Sequence, residues 1–512
     1  MKVIENSYSR RFYLATYPFL TILVFLPLAG SLAVMLLGKK PALCRVTALV
    51  VLLGELCLAA GIAFMAPLEP AASGSLPGYF LVEDLSWIET FGIRYLLAMD
   101  GISLLLVLLT SFLATLAVLF SWKTITERVA AYYGLLLLAT SGILGVFLAL
   151  DLFLFYLFWE VMLIPLFFLI CVWGQGQRVQ SALRFFLFTI GGSLLMLLAI
   201  IGLYLAHGTA TGVYTFALPE LLRTPLAPLH SCLLFAAFLL AFAVKTPIFP
   251  LHGWLPDAYC DAPTAATLLL AGLTAKTGVY GLLRFAYPLF PDAAALLTPL
   301  LSALAVVGII YASWLAYAQT DIKRLLAYSS FGHTGFIVLG IAAWTPVSLS
   351  GSVIQMVNHG ITTGALFLMA GMLEERSGSL DSGSFGALWG KMPYFGAFFL
   401  LFSLATLGLP GLNNFVGEFL ILAGVFRVSP LAAVVALGGV ILVLIYTLRL
   451  VQKLFFGPER VRHEMADLSF RELAILASLA LAVIGLGVYP APVLDLIRLP
   501  IALVSGGMGG GP

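Results

Sequence analysis

Two lysines lie inside apolar stretches long enough to cross a membrane, on either side of a short polar turn. Lys245 and Lys276 belong to the segment 242–285, FAVKTPIFPLHGWLPDAYCDAPTAATLLLAGLTAKTGVYGLLRF. A lysine near the centre of a bilayer costs about 2.5–3.5 kcal/mol on insertion scales, so it is expected to have a function and a partner. Pro247 cannot donate a backbone hydrogen bond, which predicts a helix break beside the first lysine. Irregular backbone at membrane depth is tolerated only against protein or a water-filled cavity, so this segment indicates an ion or proton path.

Glu160 is a carboxyl near the middle of another apolar stretch, DLFLFYLFWEVMLIPLFFLICVWG, nine residues after Asp151. An unpaired carboxyl at this depth would be protonated and would have no function. Pairing with Lys245 would keep both groups charged, and movement of either partner would then change the proton affinity of the other. Such a change is a means of taking up or releasing a proton. The alternative interpretation is a static ion pair with a structural role.

Glu418 adds a second acid, in the stretch LATLGLPGLNNFVGEFLILAGVF, eight residues after Pro410. Asn413 and Asn414 beside it are suited to line a hydrated cavity. Burial of an unpaired glutamate for structural reasons alone is costly, which favours a functional role. For Lys276 the alternative is a side chain that extends to the membrane surface, but this requires a position at a helix end that Lys276 does not have.

Two histidines also fall inside predicted helices, His333 in SSFGHTGFIVLGI and His359 in QMVNHGITTGALF. Histidine is the side chain best suited to relay protons near neutral pH. The two residues are not spaced as metal ligands, so no metal site is predicted. For either one alone, a structural hydrogen bond between helices is an equally good interpretation.

The composition places these groups in a membrane, because 62% of the 512 residues are hydrophobic, only 10% are charged and the mean hydropathy is +1.08. Soluble domains average about 25% charged residues, which leaves a polytopic integral membrane protein. The net charge of +2 comes from scattered basic residues and predicts no nucleic-acid binding. The five cysteines form no CxxC pair, which argues against iron–sulfur clusters, a zinc site or a disulfide framework.

Runs of about 20 apolar residues predict an all-α polytopic membrane protein with about 14 transmembrane helices, the first of them a retained span rather than a signal peptide. The runs are 18–38, 43–66, 97–121, 132–150, 151–173, 181–206, 227–250, 259–286, 294–317, 323–344, 349–373, 393–426, 430–455 and 470–491. The twelfth run is too long for one straight helix and is divided by Pro410. Only Asp151 separates the fourth run from the fifth.

The distribution of basic residues predicts the orientation of the chain. With the N-terminus outside, fifteen of the 26 Lys and Arg residues fall in inner loops and eight in outer loops. The remaining three, Lys245, Lys276 and Arg449, are predicted to be intramembrane. This asymmetry follows the positive-inside rule and predicts that both termini lie outside.

Three pairs of ionisable residues within predicted helices are related by a single shift of 173 positions. The pairs are Lys245 with Glu418, Glu160 with His333, and Lys276 with Arg449. Spans four to eight and nine to thirteen contain five helices each, so the second group enters the membrane from the opposite side. The chain is therefore predicted to hold two inverted five-helix repeats containing broken helices, as in secondary transporters. Coincidence among a handful of charges is the alternative.

The chain is thus predicted to comprise four segments. They are a three-helix N-terminal segment (1–131), a first inverted repeat formed by spans four to eight (132–286), a second inverted repeat formed by spans nine to thirteen (287–455), and a final helix with a Gly-rich tail (456–512).

Several motifs resemble those of the antiporter-like membrane subunits of respiratory complex I, most closely the NADH-quinone oxidoreductase chain M (subunit 4) family. The similar stretches are WEVMLIPLFFL, the whole segment from KTPIFPLHGWLPDAYCDAPTAATLL to GLLRF, DIKRLLAYSSFGHTGF, QMVNHG and GLPGLNNFVGEF. Glu418 discriminates within this group, because the related subunits 2 and 5 and most cation-antiporter subunits carry lysine at the matching position. The resemblance extends over nearly the whole chain.

The resemblance implies a proton-translocating membrane subunit of a respiratory NADH:quinone oxidoreductase, a translocase subunit with no redox centre in this chain. The implied proton-path residues are Glu160, Lys245, Lys276 and Glu418, with His333 and His359 as relays between the two half-channels. Flavin, iron–sulfur clusters and quinone are expected in partner subunits. The implied partners are the neighbouring antiporter-like subunits of the subunit 2 and 5 types, and the implied location is a bacterial cytoplasmic (inner) membrane.

The sequence is also compatible with two other functions. One is a subunit of a multisubunit Na+/H+ antiporter, which a lysine in place of Glu418 would have favoured. The other is a membrane subunit of a related membrane-bound hydrogenase or photosynthetic oxidoreductase. A purely structural helix bundle is disfavoured by four buried charges within membrane helices.

Overall fold

The computed structural model describes residues 17–66, 76–460 and 465–506, and nearly all of the secondary structure in these ranges is helical. A backbone surrounded by lipid has to satisfy its own hydrogen bonds, and apolar runs of this length do so as helices. Within the described ranges, 13 helices are long and apolar enough to cross a membrane. The Gly-rich tail and both chain termini lie outside these ranges.

The first part of the chain forms six spans and one β-hairpin. The spans are α1 (Phe19–Leu37), α2 (Pro41–Met65), α3 (Gly101–Thr124), α4 (Val129–Leu148), α5 (Leu152–Trp173) and α6 (Arg178–Thr211). Between α2 and α3, β1 (Leu81–Ile88) and β2 (Ile93–Met99) pair antiparallel. The hairpin lies on the membrane face where α1 begins. We call this the first face and the opposite one the second face.

The rest of the chain forms the remaining seven spans and four shorter helices. The spans are α7 (Pro228–Lys245), α9 (Thr264–Leu289), α10 (Pro291–Ala318), α11 (Ile322–Ala343), α12 (Pro346–Ser377), α15 (Pro430–Phe455) and α16 (Phe470–Val488), and the shorter helices are α8 (Leu255–Asp261), α13 (Pro393–Thr406), α14 (Asn413–Val428) and α17 (Ala491–Gly506). The predicted separation of the fourth and fifth runs is confirmed, because α4 ends at Leu148 and α5 begins at Leu152. Asp151 caps α5 by accepting hydrogen bonds from two backbone N–H groups of its first turn.

Two spans are broken where proline predicts it. Helix α7 ends at Lys245, two residues before Pro247, and the chain resumes as α8 only at Leu255. Helix α13 ends at Thr406, ahead of Pro410, and resumes as α14 at Asn413. The indole N–H of Trp254 donates to the carbonyl of Val244 at 2.9 Å, which satisfies one acceptor of the first break. At both breaks, the charged or amide side chains are surrounded by protein atoms rather than by lipid.

The helices at the centre of the bundle are buried on all sides. In α9 and α12 the most apolar stretch is 100% buried, and in α11 the value is 94%. The corresponding value for α2 is 28%, so α2 presents most of its surface outward. Helix α9 also contains two wider π-helical turns, Leu270–Thr274 and Leu282–Ala286, on either side of Lys276. Such turns interrupt regular α-helices frequently at functional sites.

Candidate functional site

Lys276 lies between the two π-helical turns of α9 and is 1% exposed. Its ammonium donates to the carbonyl oxygen of Ala271 at 2.5 Å, within the first of these turns. Its Nζ also lies 2.6 Å from Nδ1 of His359 on α12. A buried amine therefore meets an imidazole in the middle of the bundle, and a proton can pass directly between the two groups.

The Lys276–His359 contact depends on a close approach of α9 and α12 through two glycines. A Cβ atom added at Gly360 would lie 2.8 Å from the carbonyl oxygen of Gly272. Real Cβ atoms do not approach a backbone oxygen so closely, and glycine is the residue that lets two backbones meet. Because Gly360 follows His359 directly, this contact fixes the histidine beside the lysine.

Glu418 on α14 forms the second buried pair. One carboxylate oxygen, Oε1, lies 2.8 Å from Nδ1 of His333 on α11 and accepts a hydrogen bond from the amide of Gln355 at 3.2 Å. Residues Asn358 and Asn413 donate to each other's backbone carbonyls at 2.7 and 3.2 Å, which ties α12 to the start of α14. Asn413, one of the two asparagines predicted to line a hydrated cavity, thus fixes the start of the helix that carries Glu418.

The two pairs meet through their histidines. The rings of His333 and His359 have centroids 6.0 Å apart. Nδ1 of His359 faces Lys276, and Nδ1 of His333 faces Glu418. Nε2 of each ring is buried without a hydrogen-bond partner among the residues that the structure describes. Four of the six predicted site residues therefore form one line, Lys276–His359–His333–Glu418, that runs across the centre of the bundle. We call it the central line.

Lys245 lies apart from the central line, at the end of α7, and is 0% exposed. Its ammonium faces two aromatic rings, with centroids 5.3 Å (Phe185) and 5.6 Å (Trp159) away. Neither Nζ of Lys245 nor Oε1 of Glu160 has a hydrogen-bond partner in the described part of the chain, so the structure does not bring the predicted pair into direct contact.

The break after Lys245 packs directly on the helix that carries Lys276. A Cβ atom added at Gly278 would lie 2.2 Å from Oγ1 of Thr246, which leaves no space for any other residue. Thr246 follows Lys245, and Gly278 is two residues beyond Lys276. The broken helix and the central line are therefore neighbours, joined by this contact.

Arg449, the third residue predicted to be intramembrane, is not part of the buried set. It lies on the exposed side of α15, where its guanidinium stacks 4.5 Å from the ring centroid of Tyr317. The arginine also donates to the carbonyl oxygen of Tyr317 at 3.4 Å. The counterpart of Lys276 in the predicted repeat thus has a different environment, because its face of α15 looks outward.

Several buried polar residues were not singled out from the sequence. They are Glu55, Asp100, Arg284, Gln355 and Lys323. Glu55 stands as a single acid in the apolar run of α2, and its carboxyl lies 2.6 Å from the hydroxyl of Ser111. Gln355 precedes His359 by one helical turn, and that spacing could have indicated a shared buried face.

Comparison with known proteins gives concordant matches. The family described as "NADH:quinone oxidoreductase/Mrp antiporter, TM" matches residues 149–445. NADH-quinone oxidoreductase subunit M of Pseudomonas aeruginosa is 47% identical over 435 residues, which cover 84% of this chain and 85% of the relative. Subunit M of Escherichia coli K12 is 44% identical over 431 residues, with 83% and 85% covered. A chain of respiratory complex I from Thermus thermophilus with bound NADH superposes with a TM-score of 0.85 at 33% identity, covering 95% of this chain and 100% of that one.

A bundle of apolar spans with two broken helices around a buried line of acids and bases defines an antiporter-like membrane protein. The chain belongs to the NADH-quinone oxidoreductase subunit M family. The resemblance found in the sequence motifs is therefore confirmed.

Proposed function

We propose that the central line conducts protons across the middle of the membrane, with Lys245 and Glu160 as the neighbouring pair that controls its loading. The chain is a proton-translocating membrane subunit of a respiratory NADH:quinone oxidoreductase. The observation that carries the residue assignment is the sequence of short contacts from Lys276 to His359 and from His333 to Glu418.

The chemistry of the central line requires only proton transfers. The ammonium of Lys276 gives a proton to Nδ1 of His359, and the imidazole releases its other proton from Nε2. His333 accepts at Nε2 and passes a proton from Nδ1 to the carboxylate of Glu418. Nε2 of each ring has no hydrogen-bond partner among the described residues, and a bridging water molecule would complete the exchange between the two rings, whose centroids are 6.0 Å apart. Proton uptake from the inner side and release outward complete the cycle.

Coupling to electron transfer is assigned to the Lys245–Glu160 pair. Lys245 is fully buried, its ammonium lies over two aromatic rings, and it has no hydrogen-bond partner among the described residues, so a displacement of the Glu160 carboxylate towards or away from it would change the charge state of the amine. Electron transfer, with its flavin, iron–sulfur clusters and quinone, takes place in partner subunits and supplies that displacement. This chain acts as a translocase subunit.

The partners proposed for this chain are the other membrane subunits of complex I, including the neighbouring antiporter-like subunits, together with the lipid bilayer. The structural similarity to a complex I chain supports this assembly. We assign the protein to the bacterial inner membrane with both termini outside, so that the first face is the outer one. The excess of basic residues in the loops of the second face supports this orientation.

The repeat boundaries 132–286 and 287–455 are also part of the proposal. Each repeat contains a span that starts at an aspartate cap, Asp151 for α5 and Asp321 for α11. Both aspartates also form an isolated β-bridge with a distant loop, to Ala217 and to Asp381. The same local device at matching places in the two halves supports an internal repeat.

A multisubunit Na+/H+ antiporter subunit is the second candidate function, since the matching family includes such antiporters by its description. Two observations favour the redox complex. The relatives at 44% and 47% identity are both named as oxidoreductase subunits, and Glu418 stands at the position where the family resemblance implies lysine in most antiporter subunits. The hydrogenase or photosynthetic alternative differs in the partner chains, which copurification in mild detergent identifies.

The first test compares two cations that the proposed repeat places in matching positions. In the assembled complex in sealed vesicles, Lys276→Met is expected to lower the ratio of protons translocated to NADH oxidised about two-fold or more, because the central line loses its first proton carrier. Arg449→Met is the matched control and should leave the ratio unchanged, since Arg449 lies on an exposed surface. An unchanged ratio in Lys276→Met, or equal losses in both variants, would contradict the proposal.

A further inference from the structure

One carboxyl at membrane depth belongs neither to the central line nor to the Lys245–Glu160 pair. Glu55 lies near the middle of α2, a helix with most of its surface exposed, yet the glutamate itself is 0% exposed. Its Oε1 lies 2.6 Å from the hydroxyl oxygen of Ser111, near the middle of α3. Its Oε2 is buried and has no hydrogen-bond partner among the described residues. The polar partner of this carboxyl is therefore a neutral hydroxyl.

Charged residues lie far from this carboxyl. Helices α1, α3 and α4 pack on α2, and neither α1 nor α4 contains Asp, Glu, Lys or Arg. The other charged residues of α2 and α3 are Arg45, ten positions before Glu55, and Lys123, twelve positions after Ser111. These separations correspond to about 15 Å and about 18 Å along the helices. An ionised carboxylate at Glu55 would be buried without a counter-ion, which is costly in a membrane.

The uncharged titratable residues of these helices provide no counter-ion either. Tyr132 and Tyr133 lie in the first turn of α4, where the hydroxyl of Tyr133 is 3.1 Å from that of Ser121. This contact lies ten positions along α3 from the serine beside Glu55, or about 15 Å. In α2 itself, Cys57 is exposed and the thiol of Cys44 faces the carbonyl oxygen of Val34 at 3.6 Å.

The single hydrogen of the Ser111 hydroxyl can serve only one of its two contacts. The hydroxyl oxygen lies 2.6 Å from Oε1 of Glu55 and 3.0 Å from the carbonyl oxygen of Val107, one turn earlier in α3. Neither a carbonyl oxygen nor an ionised carboxylate has a hydrogen to donate. A protonated Glu55 satisfies both contacts, because its O–H donates to the serine and the serine donates to Val107. The hydrogen-bond geometry and the missing counter-ion thus indicate the same protonation state.

The opposite side of α3 supports the glycine contact that positions the central line. Leu109 and Leu113 lie two positions before and after Ser111, which places them about 200° around the helix from it. A Cβ atom added at Gly360 would lie 2.9 Å from Cδ2 of Leu109. One added at Gly272 would lie 2.7 Å from Cδ1 of Leu113. Helix α3 therefore touches both glycines through which α9 and α12 approach each other.

We propose that Glu55 is a protonated carboxylic acid that donates a hydrogen bond to Ser111, and that this bond positions α3 against the glycine contact of α9 and α12. Glu55 is a positioning residue, because it acts on Lys276 and His359 through α3. It keeps its proton while protons pass along the central line. The positioning role rests on the proposed function of the central line, whereas the protonation state of Glu55 is independent of it.

The first test detects the proton directly. The infrared spectrum of the assembled wild-type complex minus that of a Glu55→Gln complex should show the C=O stretching band of a protonated carboxylic acid. Glu127→Gln is the matched control at an exposed position, and its difference spectrum should show carboxylate bands. Carboxylate bands in the Glu55→Gln difference spectrum would show that Glu55 is ionised and would overturn the proposal.

Two substitutions at Glu55 separate the hydrogen bond from the proton. Glu55→Gln keeps an uncharged donor for Ser111 and should leave the ratio of protons translocated to NADH oxidised unchanged in the assembled complex in sealed vesicles. Glu55→Leu removes the donor at similar volume and should lower this ratio at least two-fold, because α3 is no longer fixed. A lowered ratio in Glu55→Gln would show that the proton itself is transferred. That result, or a wild-type ratio in Glu55→Leu, contradicts the positioning role.

The partner of the hydrogen bond provides a milder variant. Ser111→Ala leaves Glu55 in place and should reproduce the loss expected of Glu55→Leu, and it decides the question if the leucine variant does not assemble. Thr110→Val is the matched control on the same helix, because the buried hydroxyl of Thr110 donates within α3, to the carbonyl oxygen of Leu106 at 2.7 Å. The control should keep the wild-type ratio. Equal ratios in Ser111→Ala and the control would refute the positioning role.

Glu418→Gln, measured beside these variants, separates this inference from the proposed function. A loss of translocation in Glu418→Gln together with a wild-type ratio in Ser111→Ala would reject the positioning role and leave the proposed function standing. A wild-type ratio in Glu418→Gln would reject the proposed function. The infrared spectra would still decide the protonation state of Glu55, because they do not depend on translocation.

Discussion

At the scale of single residues, the decisive feature is the way in which each histidine divides its two nitrogens. Nδ1 of His359 faces Lys276 at 2.6 Å and Nδ1 of His333 faces Glu418 at 2.8 Å, and Nε2 of neither ring has a hydrogen-bond partner among the described residues. The sequence predicts these residue types, since titratable groups in apolar runs are rare. The order of the contacts between these residues could not be predicted from the sequence, because His359 lies 83 positions from Lys276 and His333 lies 85 positions from Glu418.

Glutamine at either histidine separates proton relay from hydrogen bonding. His359→Gln and His333→Gln keep a polar side chain but cannot accept a proton at one nitrogen and release it from another. We expect the ratio of protons translocated to NADH oxidised to fall about two-fold or more, with NADH oxidation by an artificial electron acceptor unchanged. His230→Gln, at an exposed position of α7, is the control. Full translocation in both buried variants would mean that the histidines are structural.

At the scale of elements, the broken helices and the close approach of α9 and α12 position the line. Pro247 and Pro410 predict the breaks because proline removes a backbone donor, and this local rule needs no knowledge of neighbouring helices. The glycine contact between Gly272 and Gly360 could not be predicted in the same way. It depends on two helices that meet only in the folded bundle, and one of them carries π-helical turns that no sequence pattern indicated.

Substitution at this contact tests the positioning of the line. Gly360→Ala would place a methyl group 2.8 Å from a backbone oxygen, and the shift required to relieve it should cost about 1–3 kcal/mol. We expect a lower unfolding temperature of the purified complex and a loss of translocation. Gly438→Ala in α15 is the control, since an added Cβ there meets nothing within 4 Å. Equal stability of the two variants would show that α9 and α12 are not held by this contact.

At the scale of the whole molecule, the protein is a sheath of more exposed spans around the three most buried helices, α9, α11 and α12, which carry Lys276, His333 and His359. Hydropathy was sufficient to predict the sheath, because each span must be apolar to meet lipid or a partner subunit. The buried helices are predicted less completely. The Asp100–Arg284 pair was missed because its two residues stand near helix ends, where charges are common, and only the fold brings them together at the first face.

The central claim is that protons cross this subunit through Glu418 as the last member of the central line. The most direct measurement is the ratio of protons translocated to NADH oxidised by the assembled complex in sealed vesicles when the chain carries Glu418→Gln. This substitution keeps the shape of the side chain but removes its ability to bind and release a proton. We predict that this ratio falls about two-fold or more while NADH oxidation by an artificial acceptor is preserved. A wild-type ratio in a fully assembled Glu418→Gln complex would contradict the account.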